Sequence, residues 1–136
     1  MVRVVVDPGV LVSAVITPAG APAAVVGAAR QGQVELVVSP RLLAELAAVL
    51  RRATFRRYLT LEEANEYVEG IALLAETLTD ADEPPRVSRD PNDDYLVALT
   101  LAAGAGALVS GDADLLALEN AGVAVVTPRD LLALLG

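Results

Sequence analysis

Five carboxylates in this chain are spaced so that they can work together: Asp7, Glu45, Asp94, Asp112 and Asp114. The chain has no His and no Cys, and all ten of its basic residues are Arg. Imidazole bases, Ser-His-Asp triads, thiolates and zinc sites of the usual kind are therefore excluded. The absence of Lys excludes the Walker A phosphate loop as well. Acids that converge repel one another, so either some are protonated or a cation lies among them. Oxygen donors of this hard type suit Mg²⁺ or Mn²⁺. Such an ion lowers the pKa of a water and neutralises charge developing on a phosphoryl group, the chemistry that opens a phosphodiester.

Alternating strands and helices must bring these acids together. Val2 to Val6 is a β-branched run that predicts a buried strand, stopped by Asp7-Pro8-Gly9. A short apolar segment and the turn-rich Thr17–Pro22 follow, then an Ala/Val helix to about Arg30. Val34 to Val38 predicts a second strand. Ser39-Pro40 opens the next helix, with Ser as N-cap and Pro at the first helical position. Thr60-Leu61-Glu62-Glu63 is a capping box for a helix running to about Leu78. Asp80 to Ser88, with Pro84-Pro85, reads as a loop, and Asp90-Pro91-Asn92-Asp93 starts a helix to about Ala103. Ala107 to Ser110 and Val123 to Val126 predict two more strands, and Thr127-Pro128-Arg129-Asp130 caps a last helix.

Strands that are apolar on both faces and alternate with helices predict a parallel sheet of four to five strands. Helices on both sides make this a three-layer α/β/α sandwich. Ligands of such sheets bind beyond the carboxyl ends of the strands. Asp7 ends the first strand, and Ser110-Gly111-Asp112-Ala113-Asp114 ends the third, so both fall on one rim. Asp94 lies in the first turn of its helix, where the macrodipole favours a carboxylate. Glu45 sits at the edge of the stripe formed by Leu42, Leu46, Val49 and Leu50, and can look along the same rim.

Each acid also has an ordinary structural reading. Asp7 can satisfy a turn, and Asp90 and Asp93 can cap a helix. Glu45 can pair with Arg41 or Arg52, and Asp112 with Asp114 can cap a short helix from Leu115 to Leu118. The functional reading rests on the set rather than on any one member.

Length and composition fit one domain, residues 1–136, with 54% hydrophobic but only 3% aromatic residues, so the core is aliphatic. No apolar run is long enough to cross a bilayer, and Arg3 and Asp7 interrupt the N-terminus too soon for a signal peptide, which predicts a cytoplasmic protein with no membrane partner. The net charge of −8 opposes nucleic-acid binding in bulk, which leaves any such role to local charge.

The residues resemble those of PIN-domain nucleases, in particular the small VapC-like toxins, over nearly the whole length. The resemblance rests on Val4-Val5-Val6-Asp7, on Glu35 to Pro40 with Leu43-Ala44-Glu45-Leu46, and on Arg51 to Tyr58. It rests most on Arg89-Asp90-Pro91-Asn92-Asp93-Asp94-Tyr95-Leu96 and on Leu108-Val109-Ser110-Gly111-Asp112-Ala113-Asp114-Leu115-Leu116, and the ending Thr127 to Leu132 also fits. It implies Asp7, Glu45, Asp94 and Asp112 as metal-binding acids, with Asp114 and Ser110 as auxiliaries. It further implies Mg²⁺- or Mn²⁺-dependent cleavage of single-stranded RNA, a homodimer, and an antitoxin protein as partner. One departure is that the family usually has Asp-Thr-Asn after its first strand, where this chain has Asp7-Pro8-Gly9. The hydroxyl and amide that would orient Asp7 are absent, which leaves open a module that binds RNA or a protein without cutting.

Arg51, Arg52, Arg56 and Arg57, with Phe55 and Tyr58, form the basic cluster. Guanidinium groups hold phosphates and aromatic rings stack bases, so the cluster predicts single-stranded RNA binding near the mouth of the acidic cleft. Its ordinary reading is a cation-rich helix end that pairs with Glu62, Glu63 and Glu66. A receiver or haloacid-dehalogenase-like domain also has an Asp after its first strand. The first usually needs a Lys and the second an Asp two positions on, and this chain offers neither.

Overall fold

The computed structural model describes residues 2–82, 93–118 and 122–136. Five parallel strands form one sheet: β1 (Val2–Val6), β2 (Val34–Val38), β3 (Glu76–Thr77), β4 (Ala107–Val109) and β5 (Val125–Val126), in the order β3-β2-β1-β4-β5. The helices are α1 (Pro8–Ile16), α2 (Ala21–Arg30), α3 (Pro40–Leu50), α4 (Leu61–Leu74), α5 (Asp94–Ala102), α6 (Ala113–Leu116) and α7 (Pro128–Leu135), with a 3₁₀ turn at Ala53–Arg57.

The central strands β1, β2 and β4 are buried along most of their length, as expected of a parallel sheet covered on both faces. Winding runs from β1 outward through β2 to β3, then returns to place β4 on the other side of β1. Because such crossovers are right-handed, this reversal puts α5, which packs on β1 and β4, across the sheet from the α1–α4 layer. The three-layer α/β/α sandwich follows. Val4, Val5, Leu36, Val37, Leu46, Leu96, Leu108 and Leu131 are among its buried side chains, so the core is aliphatic as the composition predicts.

Two elements differ from the sequence expectation. The segment after Asp7-Pro8-Gly9 is not a turn with a short apolar run but helix α1, because Asp7 serves as N-cap and Pro8 occupies the first helical position. α1 is apolar nearly all round because it is wedged between α2, α3 and the sheet. The helix begun by the Thr60–Glu63 capping box ends at Leu74 rather than near Leu78, and Glu76–Thr77 leaves it to pair with Val37 and Val38 as an edge strand. The expected helix start at Asp90-Pro91-Asn92 and the Pro84-Pro85 loop lie outside the described residues. Among the described residues, no single helix is long and apolar enough to cross a membrane.

Candidate active site

The reversal between β1 and β4 is a topological switch point, the place where open parallel sheets leave a crevice at their carboxyl edge. Asp7 follows β1 and Ser110-Gly111-Asp112 follows β4, so these residues flank that crevice. Their backbones are tied first: the Asp7 N–H donates to the Val109 carbonyl at 2.9 Å. Side chains then link in series. The hydroxyl of the fully buried Ser110 donates to Asp7 Oδ2 at 2.8 Å and accepts the Asp112 N–H at 3.0 Å. Asp7 Oδ1 accepts the Gly9 N–H at 2.8 Å, and Asp112 Oδ1 accepts the Asp114 N–H at 2.8 Å.

Asp7 is therefore oriented despite Pro8 and Gly9. The hydroxyl comes from Ser110, across the sheet, and the amide proton comes from the backbone of Gly9. Asp112 takes the capping role foreseen as its ordinary reading, at the start of α6, and still lines the cleft with Asp7. That cleft holds about 540 Å³. Ser13 of α1, Ala21 and Pro22 at the start of α2, and Thr127, Pro128 and Arg129 at the start of α7 also line it.

Asp94 begins α5 and is 1% exposed, so it lies beneath the rim rather than on its surface. Glu45 is exposed on α3, and it pairs with neither Arg41 nor Arg52. Instead it accepts a short hydrogen bond from the Tyr95 hydroxyl. The Tyr95 ring lies under the Arg41 guanidinium, 4.3 Å from its centroid. Burial, the bond to Glu45 and the charges of Glu45 and Asp7 hold the Tyr95 hydroxyl protonated far above the usual tyrosine range, with Arg41 opposing.

All of these donors are oxygens of the hard kind that suits a divalent cation. Among the described residues, however, no three acidic side chains stand close enough together to hold a metal ion as placed. The donor set fits such an ion by chemistry, and of the five acids Asp7 and Asp112 line the cleft, while Glu45, Asp94 and Asp114 are not among its lining residues.

The basic cluster is not at the cleft. α3 carries the chain about 16 Å from the rim before it reaches Arg51, at 1.5 Å per residue, and none of the cleft's lining residues comes from 51–58. Arg51, Arg52, Arg57 and Tyr58 are exposed, and the Arg57 guanidinium is 5.5 Å from the Tyr58 ring centroid. Arg56 is turned inward, and its Nη2 donates to the Leu50 carbonyl at the end of α3. Among the described residues no ion pair joins these arginines to Glu62, Glu63 or Glu66; the ion pairs are Arg3 with Glu35 and Glu76. Among the described residues, the cation that lines the cleft is Arg129.

Sequence reading assigned no role to Tyr95, Arg129 or Ser13. Arg129 carries a local signal, since a cation in the first turn of a helix opposes the macrodipole. Tyr95 and Ser13 carry none, because their neighbours come from distant parts of the chain.

Comparison with known proteins agrees with this architecture. The PIN-domain family profile matches residues 3–114. No curated protein matches the sequence. Among solved structures, PAE2754 from Pyrobaculum aerophilum superposes with a TM-score of 0.67 at 19% identity, covering 98% of this chain and 89% of that one. VapBC2 from Rickettsia felis, solved bound to a DNA fragment from their promoter, superposes with a TM-score of 0.64 at 12% identity, covering 90% and 96%.

Proposed function

This chain belongs to the PIN-domain family of nucleases, and on that premise we propose that it is a Mg²⁺- or Mn²⁺-dependent endoribonuclease acting on single-stranded RNA. Residues 1–136 act in this reading as one PIN-like domain. The observation that carries it is the Ser110 bridge, which holds Asp7 and Asp112 from two strands on one cleft at the switch point.

Asp7, Glu45, Asp94 and Asp112 would hold the ion, with Asp114 as auxiliary. A divalent cation supplies Lewis-acid chemistry there, acidifying water and neutralising charge on the phosphoryl oxygens. The chain's own residues do the rest. Ser110 and the Gly9 N–H fix the direction of Asp7. Arg129, which lines the same cleft, would hold a backbone phosphate, and Arg51, Arg52, Arg57 and Tyr58 would offer a second, outlying contact for a longer strand.

The likeness to VapBC2 supports a toxin role with an antitoxin protein as partner; a homodimer as the working form belongs to the same proposal. An acidic cleft in a chain of net charge −8 suits a basic segment of such a partner. A second reading is a module of the same fold that binds without cutting. It is favoured by the absence of a closed group of three carboxylates among the described residues.

Incubation of the purified chain with a panel of single-stranded RNAs and Mn²⁺, beside an Asp94→Asn variant, separates the two. Cleavage by the unchanged chain and its loss in the variant are expected. Cleavage equal in both would sink the site assignment, and absence of both cleavage and Mn²⁺ binding by calorimetry would favour the binding module.

A further inference from the structure

Arg41 and Glu45 are four residues apart on α3, so they lie on one face of the helix, within reach of an ion pair. They do not form one. The Tyr95 side chain divides them: its ring takes the Arg41 guanidinium at 4.3 Å, and its hydroxyl donates to Glu45 Oε2. Tyr95 itself is 3% exposed and follows Asp94 in the first turn of α5. A buried phenol needs an acceptor for its hydroxyl, and among the described residues the Glu45 carboxylate is the one it has. The first turn of α3 is fixed independently, because the Arg41 N–H donates to Asp80 Oδ2 at 2.9 Å.

The arrangement has a direction. A glutamate four residues after an arginine is within reach of pairing with it, which would take its carboxylate away from Tyr95. Here the cation lies over the ring face, and the carboxylate is held by the hydroxyl of Tyr95, the residue that follows Asp94 in the first turn of α5. We propose that Tyr95 is a positioning residue that withholds Glu45 from Arg41 and keeps its carboxylate with the acids of the rim. The role rests on the metal-site reading above and deepens it.

The test is Mn²⁺ binding by titration calorimetry on the full chain, for Tyr95→Phe, Glu45→Ala, Arg41→Gln and their combinations. Tyr95→Phe keeps the ring and removes only the hydroxyl, so the fold is retained, with thermal melting as the check. Loss of an outer partner of a metal ligand predicts about tenfold weaker Mn²⁺ binding in Tyr95→Phe. The same change in the Glu45→Ala background is expected to alter affinity less than about twofold, since Tyr95 acts through Glu45. Arg41→Gln is expected to restore part of the affinity of Tyr95→Phe, because the freed Glu45 then has no cation to swing to. A purely structural Tyr95 would not be rescued in this way. Equal losses with and without Glu45, or no rescue by Arg41→Gln, would overturn the role while leaving the nuclease reading standing. No Mn²⁺ binding by the unchanged chain would overturn the metal-site reading and this role with it.

Discussion

Replacement of Ser110 by Ala removes one hydroxyl, and the structure fixes what that hydroxyl does. It donates to a carboxylate, Asp7 Oδ2, at 2.8 Å and accepts the Asp112 N–H at 3.0 Å, from a side chain with no solvent exposure. A hydrogen bond to a charged acceptor contributes about 1.5–3 kcal/mol. The second bond adds less, since Asp112 is exposed and water can replace the lost acceptor. A net loss of about 2–3 kcal/mol follows. For a chain of this length the unfolding entropy is about 0.3 kcal/mol/K, so the melting temperature is expected to fall by about 7–10 °C. Without its hydroxyl donor Asp7 also keeps only the Gly9 N–H of its two anchors, and Mn²⁺ affinity is expected to drop by about tenfold. The assay is calorimetric melting of Ser110→Ala, repeated in an Asp7→Ala background, where most of the Ser110 contribution should vanish. A shift under about 2 °C, or one of the same size in both backgrounds, would refute the idea that Ser110 joins the two acids.

Arg56→Ala is expected to act on stability rather than on RNA, because the Arg56 guanidinium caps the Leu50 carbonyl at the end of α3. The cost is about 1–2 kcal/mol in urea unfolding. The double change Arg51→Ala/Arg52→Ala is expected to leave stability within about 0.5 kcal/mol and to reduce the salt slope of RNA binding, and the reverse pattern would count against this assignment. Burial pushes the Tyr67 hydroxyl, which donates to the Leu11 carbonyl, up to about 12 from its ordinary 10.0, with Arg30 opposing. A raised folded value means the native state keeps its proton longer than the unfolded chain. The associated stability is complete below pH 10 and is lost as the pH rises towards 12, on the order of 2 kcal/mol. With no Lys to titrate in that window, urea midpoints between pH 9 and 12 read the tyrosines directly, and Tyr67→Phe should flatten the decline.

Much of the local structure was legible because its causes are local. Ser39-Pro40 and Thr127-Pro128 open helices, with the Ser39 and Thr127 side chains accepting from Leu42 and Asp130. The Thr60–Glu63 capping box is formed on both sides. Asp7-Pro8 carries the same signal, an N-cap followed by Pro, and α1 starts there, although the run after it is apolar nearly all round and shows no helical stripe. The strand runs at Val2–Val6 and Val34–Val38 were equally plain, since continuous β-branched segments fit a sheet covered on both faces. The edge strand Glu76–Thr77 was not legible: two exposed residues carry no pattern, and only the free edge of β2 makes them a strand.

The sequence by itself therefore determined the inventory of this protein: an aliphatic α/β sandwich, a hard-oxygen donor set without His, Cys or Lys, and acids at the ends of strands. The tertiary structure decided the connections. Ser110 meets Asp7 across 103 positions of chain because β4 pairs with β1, and Tyr95 meets Glu45 across 50 because the first turn of α5 reaches α3 from the other face of the sheet. It also decided which charges are available, turning Arg56 into a helix end and leaving Arg129 on the cleft. The physical reason is range. Caps and strand periodicity act over a few residues, whereas the partner of a buried hydroxyl or a guanidinium is set by which strands and helices become neighbours, and that is settled only when the whole sheet is assembled.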